Sequence, residues 1–380
     1  MIGTRLLWIV VIAAFVGLVS ITDFQFRDPD SKLYSALAQD LAPLPVADWI
    51  APQMNGHWNE QGPFRAHPHL ALWVTASLIR VGAPAQQSAA IANFLYFLLI
   101  FFFVHRIGSL KDRDLGWVLV WATLYIPTTL QYLIRGNLEP PLTAAILGGM
   151  YAFLRSGDSW PARIGFTVAL LAAVFTKGLQ GATLAVFAAI YWMVWSRDRH
   201  RLGTLVAAIV IVAGGVALHE WTYRTATGMD FWPTYLSTQT GYSVGSVQPI
   251  EKLENLAWYS ARVIFFAAPW SLALLAWRRP RRSDPSSDRR TLVWLLICAA
   301  SLIAVMALFD RRADRYVFPA YPLVAMAGGW LIWESSARVR SMVDRWRDRM
   351  PYLFAAALLL SAVGKVVAAT HFYTRIQFWR

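Results

Sequence analysis

Apolar residues in this chain come in blocks of membrane-spanning length, separated by short charged loops. That pattern constrains the fold more than any other feature. A spanning helix needs about 20 mostly apolar residues, and blocks at 6–22, 86–104, 115–133, 203–219, 257–277, 291–309, 316–333 and 352–369 qualify. Runs at 139–154, 164–176 and 180–195 are shorter but bounded by charge. No stretch alternates as the strands of a barrel do, so the spans are helices, whose backbone bonds close internally. Only 15% of the residues are charged, against roughly 25% in a soluble domain. The sequence therefore predicts an all-α integral membrane protein of about eleven transmembrane helices.

A net charge of +13 would point to nucleic acid in a soluble protein. Here the basic residues cluster in loops 105–114, 155–163, 196–202, 278–290 and 334–350, as loops that stay cytoplasmic do. No nucleic-acid partner is assigned. The N-terminus then lies inside, with 6–22 as an uncleaved first helix, since Ser20-Ile21-Thr22-Asp23 is a poor cleavage site. This topology requires that segment 68–84, which carries Pro68, His69 and Arg80, lie along the interface rather than cross it. Two long loops fall on the outer face, 23–85 and 220–256. With no internal repeat or linker, the chain 1–380 reads as one transmembrane domain, and tail 370–380 is too short for a soluble C-terminal domain. The expected location is a bacterial cytoplasmic membrane, surrounded by membrane lipids. Cys298 sits in an apolar run and implies no disulfide.

Several residues invite chemistry. Arg27-Asp28-Pro29-Asp30-Ser31-Lys32-Leu33-Tyr34 follows the first apolar block and opens a helix-like stretch. A carboxylate fixed there can deprotonate a hydroxyl, although Asp28 and Asp30 also suit a plain helix start. Read as an Asp-x-Asp nucleotide-sugar motif, the pair would need a soluble nucleotide-binding fold that the chain does not contain. Arg135, Lys177, Arg311, Arg312 and Arg315 fall at outer helix ends. Cations there either snorkel to headgroups or face an anion, and Arg and Lys are the residues that hold phosphate. His57, His67, His69 and Glu60 share the first loop, but His-Pro-His is no established metal-ligand spacing. The weak pair His219-Glu220 ends the block at 203–219, and Asp230, Trp232, Tyr235 and Tyr242 lie in the second loop, where aromatic rings suit either an interfacial anchor or a sugar.

Taken together, these stretches resemble the polytopic GT-C glycosyltransferases, above all the branch with lipid A aminoarabinose transferase and the protein O-mannosyltransferases (dolichyl-phosphate-mannose-protein mannosyltransferases). Asp30-Ser31-Lys32-Leu33-Tyr34 looks like the family's acidic segment. Phe64-Arg65-Ala66-His67-Pro68-His69-Leu70 resembles its Glu-(Lys/His)-Pro-Pro-Leu element. Arg135-Gly136-Asn137-Leu138-Glu139-Pro140 sits where the family has an Arg and a Pro-Asp pair, and Phe175-Thr176-Lys177-Gly178 resembles its Thr-Lys-Gly turn. Pro269-Trp270-Ser271 and Arg315-Tyr316-Val317-Phe318-Pro319-Ala320-Tyr321-Pro322 look like two late signatures. The resemblance implies a GT-C-like fold with interfacial helices in the first extracytoplasmic loop. It implies an inverting transfer of sugar from a polyprenyl-phosphate donor to a hydroxyl of a lipid, glycan or protein acceptor on the extracytoplasmic face. Asp30 would be the base, with Asp28 in reserve, and Lys177, Arg135, Arg312, Arg315, His67 and Tyr34 would bind substrate. Ala66 stands where the family often has a glutamate implicated in metal coordination and His69 replaces the second proline, so no metal or other cofactor is assigned, a divalent metal being the alternative. The runner-up function is a transporter or flippase of lipid-linked or anionic substrates, which would place ionisable residues near the bilayer midplane.

Overall fold

The computed structural model of this chain describes residues 2–22, 26, 28–241, 249–276, 287–309 and 312–368. The expectations for Arg27, Tyr242, Arg311, much of loop 278–290 and the 370–380 tail lie outside the described residues. Within them the chain is helical, and strand pairing is limited to one isolated antiparallel bridge between Gln53 and Pro63.

Helix α1 (Ile2–Ser20) leads into a lobe made of α2 (Pro29–Leu41), two 3-10 turns at Val46–Ile50 and His57–Asn59, and α3 (Leu70–Arg80). Pro29 opens α2 at a position where its missing N–H is no loss. Asp28 caps the helix by accepting from the Ser31 N–H at 2.9 Å. Leu33, Leu37, Ala38 and Leu41 of α2 meet Leu72 and Ala76 of α3, with Trp49, Met54 and Phe64 between them, in a core separate from that of the bundle. At 11 residues, α3 is about 16 Å long, too short for a hydrocarbon core of about 30 Å. Segment 68–84 thus does not supply a crossing by itself.

The bundle begins with α4 (Ser88–Gly108) and α5 (Arg113–Leu124). The sequence block 115–133 leads one to expect a single span there. The structure instead ends α5 at Leu124 and starts α6 (Pro127–Tyr132) anew. Pro127 lacks the N–H that a continuing helix needs and its ring clashes with the preceding turn. Next come α7 (Glu139–Arg155) and α8 (Trp160–Tyr191). Although α8 reads as one helical run, Lys177 (φ −147°) and Gly178 (φ +49°) leave helical geometry. A continuous helix would hold Phe166 and Tyr191 about 38 Å apart, yet their rings lie 5.0 and 6.2 Å from that of Phe153. The run is therefore a hairpin whose two arms turn back at Lys177-Gly178.

The chain continues through α9 (Arg199–Thr227), α10 (Trp232–Gly241), α11 (Pro249–Phe266) and α12 (Ser287–Ala307), then α13 (Ala320–Ser335), α14 (Ala337–Trp346) and α15 (Met350–Val367). Helix α9 outlasts its apolar block by about two turns and carries the first part of the second long loop as helix. The bundle core is one continuous cluster, from Phe15 and Phe94 through Phe153 and Phe187 to Trp294, Tyr321 and Trp330. At the end away from the Lys177 turn, Arg347 forks onto buried Asp114 at 2.5–3.0 Å, and Lys111 reaches Glu334 at 2.7 Å.

Five helical stretches among the described residues are long and apolar enough to cross a membrane: Ser88–Gly108, Trp160–Ser196, Arg199–Thr227, Arg289–Ala307 and Ala337–Val367. Leu6–Ser20 is a shorter apolar helix. The fold is thus that of a multi-pass membrane protein. The count of about eleven is not established, and one of the five stretches, Trp160–Ser196, is itself the hairpin.

Candidate active site

Charged and aromatic side chains converge where the α2–α3 lobe meets the bundle. Asp30, in the first turn of α2, pairs with Arg315 from the 3-10 turn Asp314–Val317. At the next residue of α2, Ser31 Oγ donates to Asn137 Oδ1 just before α7. Glu139, the first residue of α7, accepts from Lys177 Nζ at 2.7 Å. This second pair is deeply buried, with Lys177 6% and Glu139 4% exposed. The Tyr316 ring lies between the two cations, 5.5 Å from Lys177 Nζ and 5.6 Å from the Arg315 guanidinium carbon.

Two aromatic rings close the cluster from the lobe side. Tyr34, one turn after Asp30, meets His67 edge-on with ring centres 6.4 Å apart, and His67 meets Tyr235 at 6.5 Å. Burial raises the Tyr34 phenol well above its usual value, and the Asp30 and Glu139 charges push it further. His67 is held neutral, its pKa lowered to about 3 by burial and then by Lys177 and Arg315. Asp30 is 16% exposed. Burial lifts its carboxyl above the usual range and Arg315 pulls it back, while Glu139 and Asp28 add to the lift.

The Lys177 turn is clamped from the second long loop. Glu220 Oε2 accepts from the N–H groups of Phe231 and Trp232 at 3.1 and 2.7 Å, fixing the start of α10. Tyr235 of α10 then donates its hydroxyl to Lys177 O and accepts from Leu179 N–H, both at 3.3 Å. Gly178 has φ +49°, and a Cβ there would come within 2.3 Å of Tyr235 Oη. Tyr235→Phe leaves the buried Lys177 carbonyl without this donor, at about 1–3 kcal/mol for such a group. The variant is expected to melt earlier in detergent and to bind anions more weakly. An unchanged melting temperature would show that the clamp is dispensable.

Of the residues singled out in sequence, Asp30, Tyr34, His67, Lys177 and Arg315 come together. Arg312 does not join them: it bonds Asn255 Oδ1 and pairs with Glu254 at 3.0 Å, on the α11 side. Arg135 stacks over Tyr132, 5.0 Å from its ring centre, instead of facing Asp30. Asp28 is engaged as the α2 cap. His57 pairs with Asp40 at 3.0 Å, and His69 Nε2 bonds Phe64 O at 3.1 Å. Among the described residues no three His, Cys, Asp or Glu side chains are placed to hold a metal ion, and both site carboxylates face cations. Trp232 and Tyr235 are buried and so present no open ring to a sugar, and Asp230 pairs with Arg224. Glu139 and Tyr316 emerge as site residues that sequence reasoning left without a role. The available signal was an acid directly before Pro140-Pro141, at a helix N-terminus where a carboxylate is favoured.

Fold and site together define a class: a polytopic helical membrane protein whose ion-paired polar cluster lies under a lobe built between its first helices. The chain shares its fold with ArnT from Cupriavidus metallidurans. The crystal structure of that protein bound to undecaprenyl phosphate superposes with a TM-score of 0.71 over 96% of this chain and 77% of ArnT, at 14% identity. Its apo structure gives a TM-score of 0.69 with the same identity and coverage. The all-helical architecture expected from the sequence is thus present, in a fold shared with ArnT. No protein-family model matches the chain, and no curated protein matches it by sequence.

Proposed function

We propose that this protein is a glycosyltransferase that moves a sugar from a polyprenyl-phosphate donor to an acceptor hydroxyl. The observation that carries this reading is the Asp30–Arg315 pair set beside the buried Glu139–Lys177 pair. A base candidate and two phosphate-binding candidates meet there in one partly screened cluster. A fold shared with a protein crystallised with undecaprenyl phosphate supports the donor class.

In this reading the donor phosphate draws Arg315 and Lys177 away from their carboxylate partners. Asp30, freed of Arg315 and still buried, becomes a stronger base. It takes the proton of the acceptor hydroxyl, whose oxygen attacks the anomeric carbon as the bond from that carbon to the phosphate oxygen breaks. The electron pair leaves with the phosphate, and the cations stabilise the charge that builds there. Attack opposite the leaving group inverts the anomeric centre, through an oxocarbenium-like transition state. Tyr34 and His67 wall the cluster, and neutral His67 offers a hydrogen-bonding edge without adding charge. The site lies at the hairpin turn, away from basic residues such as Arg106, Arg155 and Arg199, which supports an extracytoplasmic location.

The test is transfer by purified protein in lipid, using labelled polyprenyl-phosphate sugars and a membrane extract as acceptor. Release of carrier phosphate together with a labelled product is expected. Binding of every donor with no transfer from any would favour the transporter reading. Right-side-out vesicles should accept donor and acceptor from outside.

The pH profile gives a second check. Transfer needs ionised Asp30, so it should fall as pH drops through the folded-state pKa of that group. Arg315 lowers that pKa. Arg315→Gln removes the pull in the free enzyme, so the acid limb of kcat/KM should move to higher pH. A limb that stays in place, or moves to lower pH, would assign the titration to another group.

A further inference from the structure

A groove of about 600 Å³ runs along the bundle between α4, α7 and the first arm of α8. This volume falls within the roughly 300–1,000 Å³ of ligand sites. Each helix contributes one face at helical spacing, small residues such as Ala145 and Gly148 from α7 and Gly165 and Ala169 from α8, opposite Leu99 and Phe103 of α4. From Thr176 beside the site to Pro161, the groove follows α8 for about 22 Å, most of a hydrocarbon core of about 30 Å. Its lining along this length is mostly apolar, with Tyr96 and Thr176 toward the site, and its charged groups, Arg106 and Arg155, lie at the far end beside Tyr151 and Ser159.

Those two arginines are exposed. Tyr151 Oη accepts from Arg106 Nε and Nη2 at 3.2 and 2.8 Å, and the guanidinium lies 5.4 Å over the Tyr151 ring. The contacts fix Arg106 at the groove mouth. The Arg155 side chain has no partner among the described residues. A polyprenyl tail is apolar to its tip and would leave this basic end unmatched if its phosphate sat at Lys177. A glycerophospholipid from the opposite leaflet matches both halves, with phosphate on the arginines and an acyl chain along the apolar stretch. Guanidinium groups also suit phosphate oxygens in a way that neutral polar groups do not.

We propose that this groove seats one anionic glycerophospholipid of the leaflet opposite the site, its phosphate held by Arg106 and Arg155. The site is separate from the donor cluster, and the proposal does not depend on the sugar-transfer reading. A lipid seated there fills the space between α7 and the arm that ends in Lys177, and so supports the position of that turn.

The test is native mass spectrometry of the purified full-length protein with phosphatidylglycerol and phosphatidylcholine of identical chains, and with undecaprenyl phosphate. One phosphatidylglycerol should be retained in preference to phosphatidylcholine, with the preference falling about fivefold for each arginine removed. Arg155→Gln breaks no contact among the described residues and keeps the measurement free of folding loss. Ala169→Trp, midway along the groove, should lower phosphatidylglycerol retention with both arginines intact. Equal retention of the two phospholipids, or a preference unchanged in Arg155→Gln and Arg106→Ala/Arg155→Gln, would overturn the proposal. So would displacement of phosphatidylglycerol by undecaprenyl phosphate, since the groove would then belong to the carrier.

Discussion

Asp30→Asn should lower sugar transfer by about 10²–10⁴-fold, the range that general-base groups contribute, while the protein still folds and still binds carrier phosphate. The amide keeps the size of the carboxylate and can still accept from Arg315, so the lobe stays docked. What it loses is the capacity to take a proton. It also ceases to compete for Arg315, so undecaprenyl phosphate should bind at least as tightly as in the wild type. This split between lost turnover and kept binding separates a base from a mere ion-pair partner, whose removal would loosen the lobe and weaken both. Asp28→Asn supplies the contrast. Asn caps helices about as well as Asp, so that variant should retain transfer. If Asp30→Asn kept full transfer and Asp28→Asn lost it, the base would be Asp28.

The second large effect concerns the Glu139–Lys177 pair. Removing one partner leaves the other buried and uncompensated, a loss of about 3–5 kcal/mol. Glu139→Gln strands an ammonium and Lys177→Met strands a carboxylate, and both should unfold well below the wild type in a thermal scan in detergent. The double variant Glu139→Gln/Lys177→Met buries no lone charge and should recover most of that stability. It should not recover donor binding, because the cation is gone. Recovery of both stability and binding would reduce the pair to a packing device, and transfer would then rest on Arg315 alone.

The sequence makes the helical membrane class legible because a bilayer demands long apolar runs whatever their packing. It is less informative where packing decides. Pro127 marks a break inside 115–133, but hydropathy averages across one residue. The apolar arms 164–176 and 180–195 are visible as two runs. That they fold onto each other follows from Gly178, which alone accepts the positive φ that the Tyr235 contact leaves room for. At the site, Asp30 and Lys177 stand out as charges beside apolar helices. Arg312 stands out equally and yet faces Glu254 and Asn255, because a cation at a helix end advertises a partner without saying which. Glu139 shows the converse. Its place opposite Lys177 depends on the α7–α8 packing, which no local pattern encodes.

The separate core of the α2–α3 lobe has a further consequence. Asp30 is carried by a unit with its own hydrophobic interior, whereas Lys177, Glu139 and Arg315 are anchored in the bundle. Along this seam the lobe is joined to its neighbour by polar links such as Ser31–Asn137 and Asp30–Arg315. On the proposed chemistry, acceptor choice and donor capture are therefore inherited from different parts of the molecule. Mutations on the lobe's outward surface can retune which hydroxyl reaches the base while the lipid-handling half keeps its sequence. Grafting the lobe of another bundle of this fold across the same seam is then a direct route to new acceptors.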